Sequence, residues 1–462
     1  LCGMKCRFKR SNETVPVWGE AMDSKTRRRL YKCLPELVSA GVISAEVAAR
    51  IREYCGEPEA AGTVARRWAV ILFSILGATL IGGGIILLLA HNWDELSRPV
   101  RVAVALAPLA LSTAVGAWVL AARPFSTGWK EGVGAFQTLA VGAAIALVSQ
   151  TYHLGGRFDE LMLSWSLLTL PVAYLLGATF PALFYLIGIT VWTGSVTHRG
   201  SLALAYFPLL ALMLPRLGWL ARAQRNHPRT VLLFWALAVT VCIGTPLALP
   251  WVMSEMKAWP VVLGCLFGIL YLSGIRWWHE AAAGWRHPLQ TVGGLGAWGL
   301  LLVLSFRDAW FEVRCATAGA PSSTAGDVVQ VAVGTGLVLA ALALAWMMTW
   351  RRRTWAELMP GAVPAVALAG MALASAGTHA GAAVLVNCFL FLWGVGTLVL
   401  GLRQRRLAVV NAGMGIIASV ILCRFFDADI GFVTRGLGFI AVGAGFLATN
   451  LMLARRKAGE TR

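Results

Sequence analysis

"LLLAHNWDELSRPVRVAV", residues 87–104, decides the fold. An apolar run ends at Ala90, the polar patch His91, Asn92, Trp93, Asp94 and Glu95 follows, and Pro99 opens a second apolar run. Two such runs around a polar turn make a helical hairpin sized for a bilayer, whose hydrocarbon core takes about 20 residues per helix. The turn has two readings. Asn and Asp cap helices and form turns, and Pro suits a first helical position. His, Asp and Trp are also the residue types of a working site.

The pattern recurs. Apolar runs occupy 69–90, 100–121, 132–151, 161–177, 180–196, 201–221, 230–253, 258–275, 288–306, 328–350, 361–377, 380–402, 407–423 and 432–454. Of 462 residues, 58% are hydrophobic and 13% charged, and the mean hydropathy is +0.69. Soluble domains carry about 25% charged residues. The runs are continuous rather than alternating, which argues against a β-barrel. The expectation is an all-α polytopic membrane bundle of about 14 transmembrane helices.

Residues 1–23 lack periodicity and read as an unstructured extension, with Met22 an alternative start to Leu1. No apolar signal-type segment precedes residue 68, so no cleavable leader is expected. Residues 24–67 read as a cytosolic helical hairpin and linker. Leu30, Leu34, Leu37 and Val38 form one stripe, Gly41 breaks it, and Val47, Ile51 and Tyr54 form a second with Ser44 as N-cap. Pro35 is costly inside a helix, so the first helix is expected to begin near it. Residues 68–456 form the membrane domain, and 457–462 a cytosolic tail.

The net charge of +18 maps largely onto short connections. With the N-terminus inside and alternating spans, the later inside segments hold 18 Lys/Arg, Arg216 among them, and the outside ones 9. That bias predicts an N-in, C-in topology. It also requires a break near Gly177–Pro181, because merging 161–196 would put Arg351, Arg352 and Arg353 outside. Nucleic acid is not an expected partner, since no aromatic-interleaved basic domain occurs. The nine cysteines form no CxxC pair, which argues against a zinc site or a disulfide framework.

Acidic residues run the other way. Beyond residue 67 the outside connections hold 10 and the inside ones four. Acids contribute little to insertion, so topology alone does not explain this. Four outward ends join an aromatic to an Asp: "AHNWDEL", "SQTYHLGGRFDEL", "SFRDAW" and "CRFFDAD". If these spans are neighbours, His91, Asn92, Trp93, Asp94, Gln150, Tyr152, His153, Asp159, Asp308 and Asp427 form one outer-face cluster. His and Asp supply acid–base pairs or metal ligands, although no two His stand at helical metal-site spacing, and no metal is expected. Gln150 would need to turn into the bundle, and Arg157 with Asp159, and Arg424 with Asp427, are expected to pair. The plain alternative is that Trp and Tyr anchor at the interface while Asp and Asn make turns.

No Asp, Glu or Lys falls in the middle of a span, which counts against ion-coupled transport. Asn387 and Asn411 either line a path or bond between helices. Phosphate-loop, dinucleotide, nucleophile-elbow and zincin motifs do not occur in usable contexts, so no cofactor is expected.

"LVSAGVISAEVAARI", "GATLIGGGIILLLAHNWDELSRPVRVAV" and "VGAAIALVSQTYHLGGRFDELMLSWSLLTLPVAYLL" together resemble the prokaryotic membrane proteins grouped as domain of unknown function 2157, over roughly residues 28–180. "CRFFDADIGFVTRGLGFIAVGAG" is similar to their tails. The resemblance implies a multi-pass protein of a bacterial or archaeal cytoplasmic (inner) membrane and no particular activity. It puts His91, Asn92, Trp93, Asp94, Gln150, Tyr152 and His153 on motif positions, which implies an important site there.

Three functions follow. One is a carrier or flippase for a lipid-linked or envelope molecule. The second is a membrane enzyme with an extracytoplasmic acidic-aromatic site. The third is a sensor or scaffold docking a cytosolic protein through residues 24–55. The expected partners are the lipid bilayer, such a substrate and such a protein.

Overall fold

The structure is a computed structural model that describes residues 33–55, 96–255, 257–277, 286–311, 325–350 and 355–425, with isolated residues between 433 and 445. Outside them lie His91, Asn92, Trp93, Asp94 and Asp427, the extension 1–23, the linker 56–67, most of the loop 314–327, the tail 457–462, the run 69–90 and most of the run 432–454. The chain divides into two compact units, 1–97 and 98–462.

In the first unit, helix α1 covers 33–39 and α2 covers Ala45–Cys55. Pro35 lies within the described part of α1, and the start of this helix falls outside the described residues. Gly41 takes the left-handed φ of 69° that the turn needs. Ser44 caps α2, its Oγ accepting from the Val47 N–H at 3.3 Å.

Among its described residues, the second unit consists of helices joined by short turns. Its longer helices are α3 (Arg98–Ala122), α4 (Thr127–Tyr152), α5 (Phe158–Leu176), α6 (Thr179–Val196), α7 (Tyr206–Ala223), α8 (Pro228–Ala248), α9 (Trp259–Trp277), α10 (Pro288–Leu304), α11 (Ala325–Trp350), α12 (Val363–Ser375), α13 (His379–Gln404) and α14 (Leu407–Phe425). Each apolar run from 100 to 423 thus has its own helix. Among the described residues, eight helical stretches are long and apolar enough to cross a membrane, and 288–304 and 359–375 are shorter apolar helices. Helix is the form dictated by lipid, where backbone groups must bond within their own segment. The buried hydroxyls of Thr138, Thr190 and Thr193 are satisfied in the same way, each donating to the carbonyl four residues back.

The break after residue 176 is real. Gly177 closes α5 at φ 68°, and α6 starts at Thr179. The 45-residue stretch 179–223 also folds back on itself. Arg199 and Gly200 leave helical geometry inside the 3-10 turn Thr197–Ala205. Beyond it Tyr185 donates to the Leu209 carbonyl at 2.7 Å and Arg216 to the Ala178 carbonyl at 3.4 Å, so α6 and α7 run antiparallel.

Contacts of this kind define two ends. Arg199 pairs with Asp159, Gly326 lies against Ser201, and the Trp251 N–H donates to Gln330, all at the Asp159 end. Glu131, Thr179 and Arg229 meet at the Glu131 end. Glu160, Glu255, Asp308 and Asp327 fall at the Asp159 end and Glu357 at the other, the separation expected from the chain.

Between helices in lipid, close packing and hydrogen bonds replace the hydrophobic drive. Gly142 lets the Trp165 ring lie directly on α4, where a Cβ would overlap it, and Trp165 Nε1 donates to the Thr138 carbonyl at 2.7 Å. Asn387 Nδ2 donates to the Ser305 carbonyl at 3.0 Å, which makes it an interhelical bond, while Asn411 is exposed.

Arg216 departs from the reading of the chain. Arg216 does not belong to a connection: it lies within α7 and is only 9% exposed. Counting charges by the nearest span end misplaced it.

Candidate functional site

"SQTYHLGGRFD" forms the corner between α4 and α5. α4 ends in a left-handed cap at His153, with φ 52° and ψ 37°. The Leu154 N–H then reaches the Ser149 carbonyl at 3.0 Å, satisfying a terminal carbonyl. Gly usually holds such a cap; among other residues His is one of the more tolerant. Gln150, Tyr152 and His153 are all exposed, and it is Thr151 that turns inward. Gln150 therefore does not enter the bundle. The last turn of α4 directs it outward, and the buried position goes to Thr151, which satisfies its hydroxyl on the Leu147 carbonyl at 2.7 Å.

Asp159 organises the corner. Its Oδ1 lies 3.0 Å from Arg157 Nε and its Oδ2 lies 3.2 Å from Arg157 NH2, the expected pair. Oδ2 also receives Arg199 NH1 at 2.9 Å, which ties the α4–α5 corner to the Thr197–Ala205 turn. The carboxylate is 13% exposed, and two guanidinium groups hold it. Committed in this way, it suits positioning better than proton transfer. Glu160 accepts the Arg157 N–H at 3.4 Å and, with Asp159, adds negative charge to the first turn of α5.

Beside this corner a groove of about 790 Å³ runs between α3, α4 and α5. Leu106, Leu109, Val141, Leu168 and Val172 make its walls apolar. Ser149, Arg157 and Glu160 make its mouth polar. Gln137, near the middle of α4, lies deeper and donates to Thr113 Oγ1 at 3.3 Å. A long apolar wall with a charged mouth accommodates an amphipathic molecule.

Asp308 stands at the same end in a different group of helices. It is exposed and opens the short helix Asp308–Phe311, which packs on α10, α12 and α13. The anchor there is Trp310, fully buried, donating to the Leu304 carbonyl at 2.7 Å. Arg424 donates to the Ser305 carbonyl at 2.9 Å and its hydroxyl at 3.1 Å, and lies over the Phe306 ring at 4.7 Å. Of the expected cluster, Gln150, Tyr152, His153 and Asp159 thus share one corner, and Asp308 belongs to another helix group.

The reading of the chain missed the polar residues at the Glu131 end: Lys130, Glu131, Thr179, Arg216 and Arg229. One signal was available: Arg216 stands ten residues into the apolar helix "YFPLLALMLPRLGWLARA".

Residues 35–182 match the family described as "Predicted membrane protein (DUF2157)". The resemblance read from the motifs therefore holds over that stretch, which includes α3, α4 and α5 and so every wall of the groove. The similarity read in the tail lies outside the matched residues. No curated protein and no solved structure matches the chain.

Proposed function

We propose that this membrane protein binds an amphipathic, lipid-linked or envelope molecule in the α3–α4–α5 groove and carries it between leaflets. The observation behind this reading is the groove itself, with apolar walls from three helices and Ser149, Arg157 and Glu160 at one mouth. An acyl or polyprenyl chain would lie against Leu106, Leu109 and Leu168. Its head would meet Arg157, whose guanidinium has five N–H donors and commits two nitrogens to Asp159. Gln137 offers a polar stop partway along the wall.

In this reading the chain has fourteen spans with both termini in the cytoplasm, the host membrane is a prokaryotic inner membrane, and the Asp159 end faces outward. The hairpin over residues 24–55 would meet a cytosolic protein, and Val42 and Val47 are exposed on it.

The test uses purified full-length protein in vesicles carrying a fluorescent lipid phosphate in one leaflet. Protein-containing vesicles should equilibrate the probe faster than empty ones, and Ser164→Trp, which fills the groove, should abolish the gain. Equal rates with and without protein would overturn the carrier reading.

A further inference from the structure

At the Glu131 end, away from the groove, a second cavity of about 300 Å³ lies among the starts of α4 and α8, the α5–α6 turn and α7. Lys130, Arg216, His227 and Arg229 line it. Glu131 stands beside it with its oxygens committed. They take the Thr179 N–H at 2.8 Å, the Thr179 hydroxyl at 2.6 Å, the Phe180 N–H at 3.3 Å and Arg229 NH1 at 3.4 Å. One carboxylate thus opposes three permanent positive charges, and the cavity is cationic.

Arg216 is the informative member. A buried guanidinium needs acceptors for its donors. Arg216 is 9% exposed, and one terminal nitrogen reaches the Ala178 carbonyl at 3.4 Å. Its buried Nε has no hydrogen-bond partner, and the side chain lines the cavity. The start of the 21-residue α8 adds its dipole at the same place. His227 caps that helix, its Nδ1 accepting from the Arg229 N–H at 3.3 Å, so the neutral ring carries its proton on Nε2 as a further donor. The rim is aromatic: Phe125 is 96% exposed and Trp219 58%, as residues at a bilayer interface are.

We propose that this cavity binds a phosphate group, carried by a lipid headgroup or free in solution, with Arg216, Lys130 and Arg229 as its ligands. Basic pockets between membrane helices suit such headgroups, and arginine matches phosphate geometry. A phosphate in the cavity gives the Arg216 guanidinium acceptors beyond the Ala178 carbonyl. The site is separate from the groove and stands without it.

Full-length protein in neutral detergent is titrated with short-chain phosphatidic acid or with inorganic phosphate, against sodium chloride at matched ionic strength, while its thermal midpoint is followed. Phosphatidic acid should raise the midpoint. Lys130→Gln, at a half-buried position, should weaken the apparent affinity about fivefold, and Arg216→Gln by about tenfold or more. If Arg216→Gln does not fold, Lys130→Gln and Arg216→Lys carry the test. A shift with phosphatidic acid alone assigns the site to a headgroup. An equal shift with inorganic phosphate, weakened by the same substitutions, assigns it to the free anion. No shift with either, or shifts that Lys130→Gln leaves unchanged, would overturn the proposal.

Discussion

Both carboxylate oxygens of Glu131 lie 2.8 Å from the backbone nitrogen of Thr179. A side chain from the second turn of α4 thereby caps α6, whose own N-cap residue, Ala178, has no side chain able to do so. Glu131→Gln keeps the shape and removes the charge, so the charge-assisted bonds weaken. A loss of roughly 1–3 kcal/mol is expected. Thermal unfolding in detergent measures it, and an unchanged midpoint would show that the cap is dispensable.

Asp159 ties two connections through Arg157 and Arg199, but both arginines are more than a third exposed. Water and salt screen such pairs, so Asp159→Asn should cost only about 1 kcal/mol, and less at high ionic strength. Exchanging the charges, with Asp159→Arg and Arg199→Asp together, should recover part of the loss. A penalty several times larger, unaffected by salt, would mean that Asp159 bears on something other than these two pairs.

The contrast between these two acids explains what was legible in the chain. Arg157 and Asp159 are two residues apart, and local spacing predicts their pairing. The break at Gly177 follows from a glycine before a Thr-Phe-Pro start, and positive-inside counting demands it. Arg199 meets Asp159 across 40 residues, and Thr179 meets Glu131 across 48. Those meetings arise from antiparallel packing, which hydropathy does not encode. The groove is illegible for the same reason, since its walls come from three helices. Arg216 was hidden differently: a count by position treats every arginine near a span end as solvated.

His153 holds a left-handed conformation that glycine adopts freely. His153→Gly should therefore stabilise the corner, by up to about 1 kcal/mol, and His153→Val should destabilise it. The informative outcome pairs stability with transport of the fluorescent lipid. If the exposed imidazole meets the cargo, His153→Gly raises the melting midpoint and lowers transport. A more stable variant with full transport would reduce His153 to a helix cap.

Orientation links these sites to the cell. α4 has 26 residues, which as a helix extend about 39 Å, enough to cross a core of about 30 Å. Phe125, just before it, is 96% exposed, and Leu154, just after it, is 59% exposed. Phe125→Cys and Leu154→Cys, each with the native cysteines replaced by serine, should react with membrane-impermeant maleimide from opposite sides. The excess of Lys and Arg predicts Phe125→Cys inside and Leu154→Cys outside. Labelling of both from one side would mean that α4 does not span. Opposite sides in the reverse sense would turn the groove mouth and its acids towards the cytoplasm, and a cargo destined for the envelope would then enter the groove at its charged end rather than leave by it.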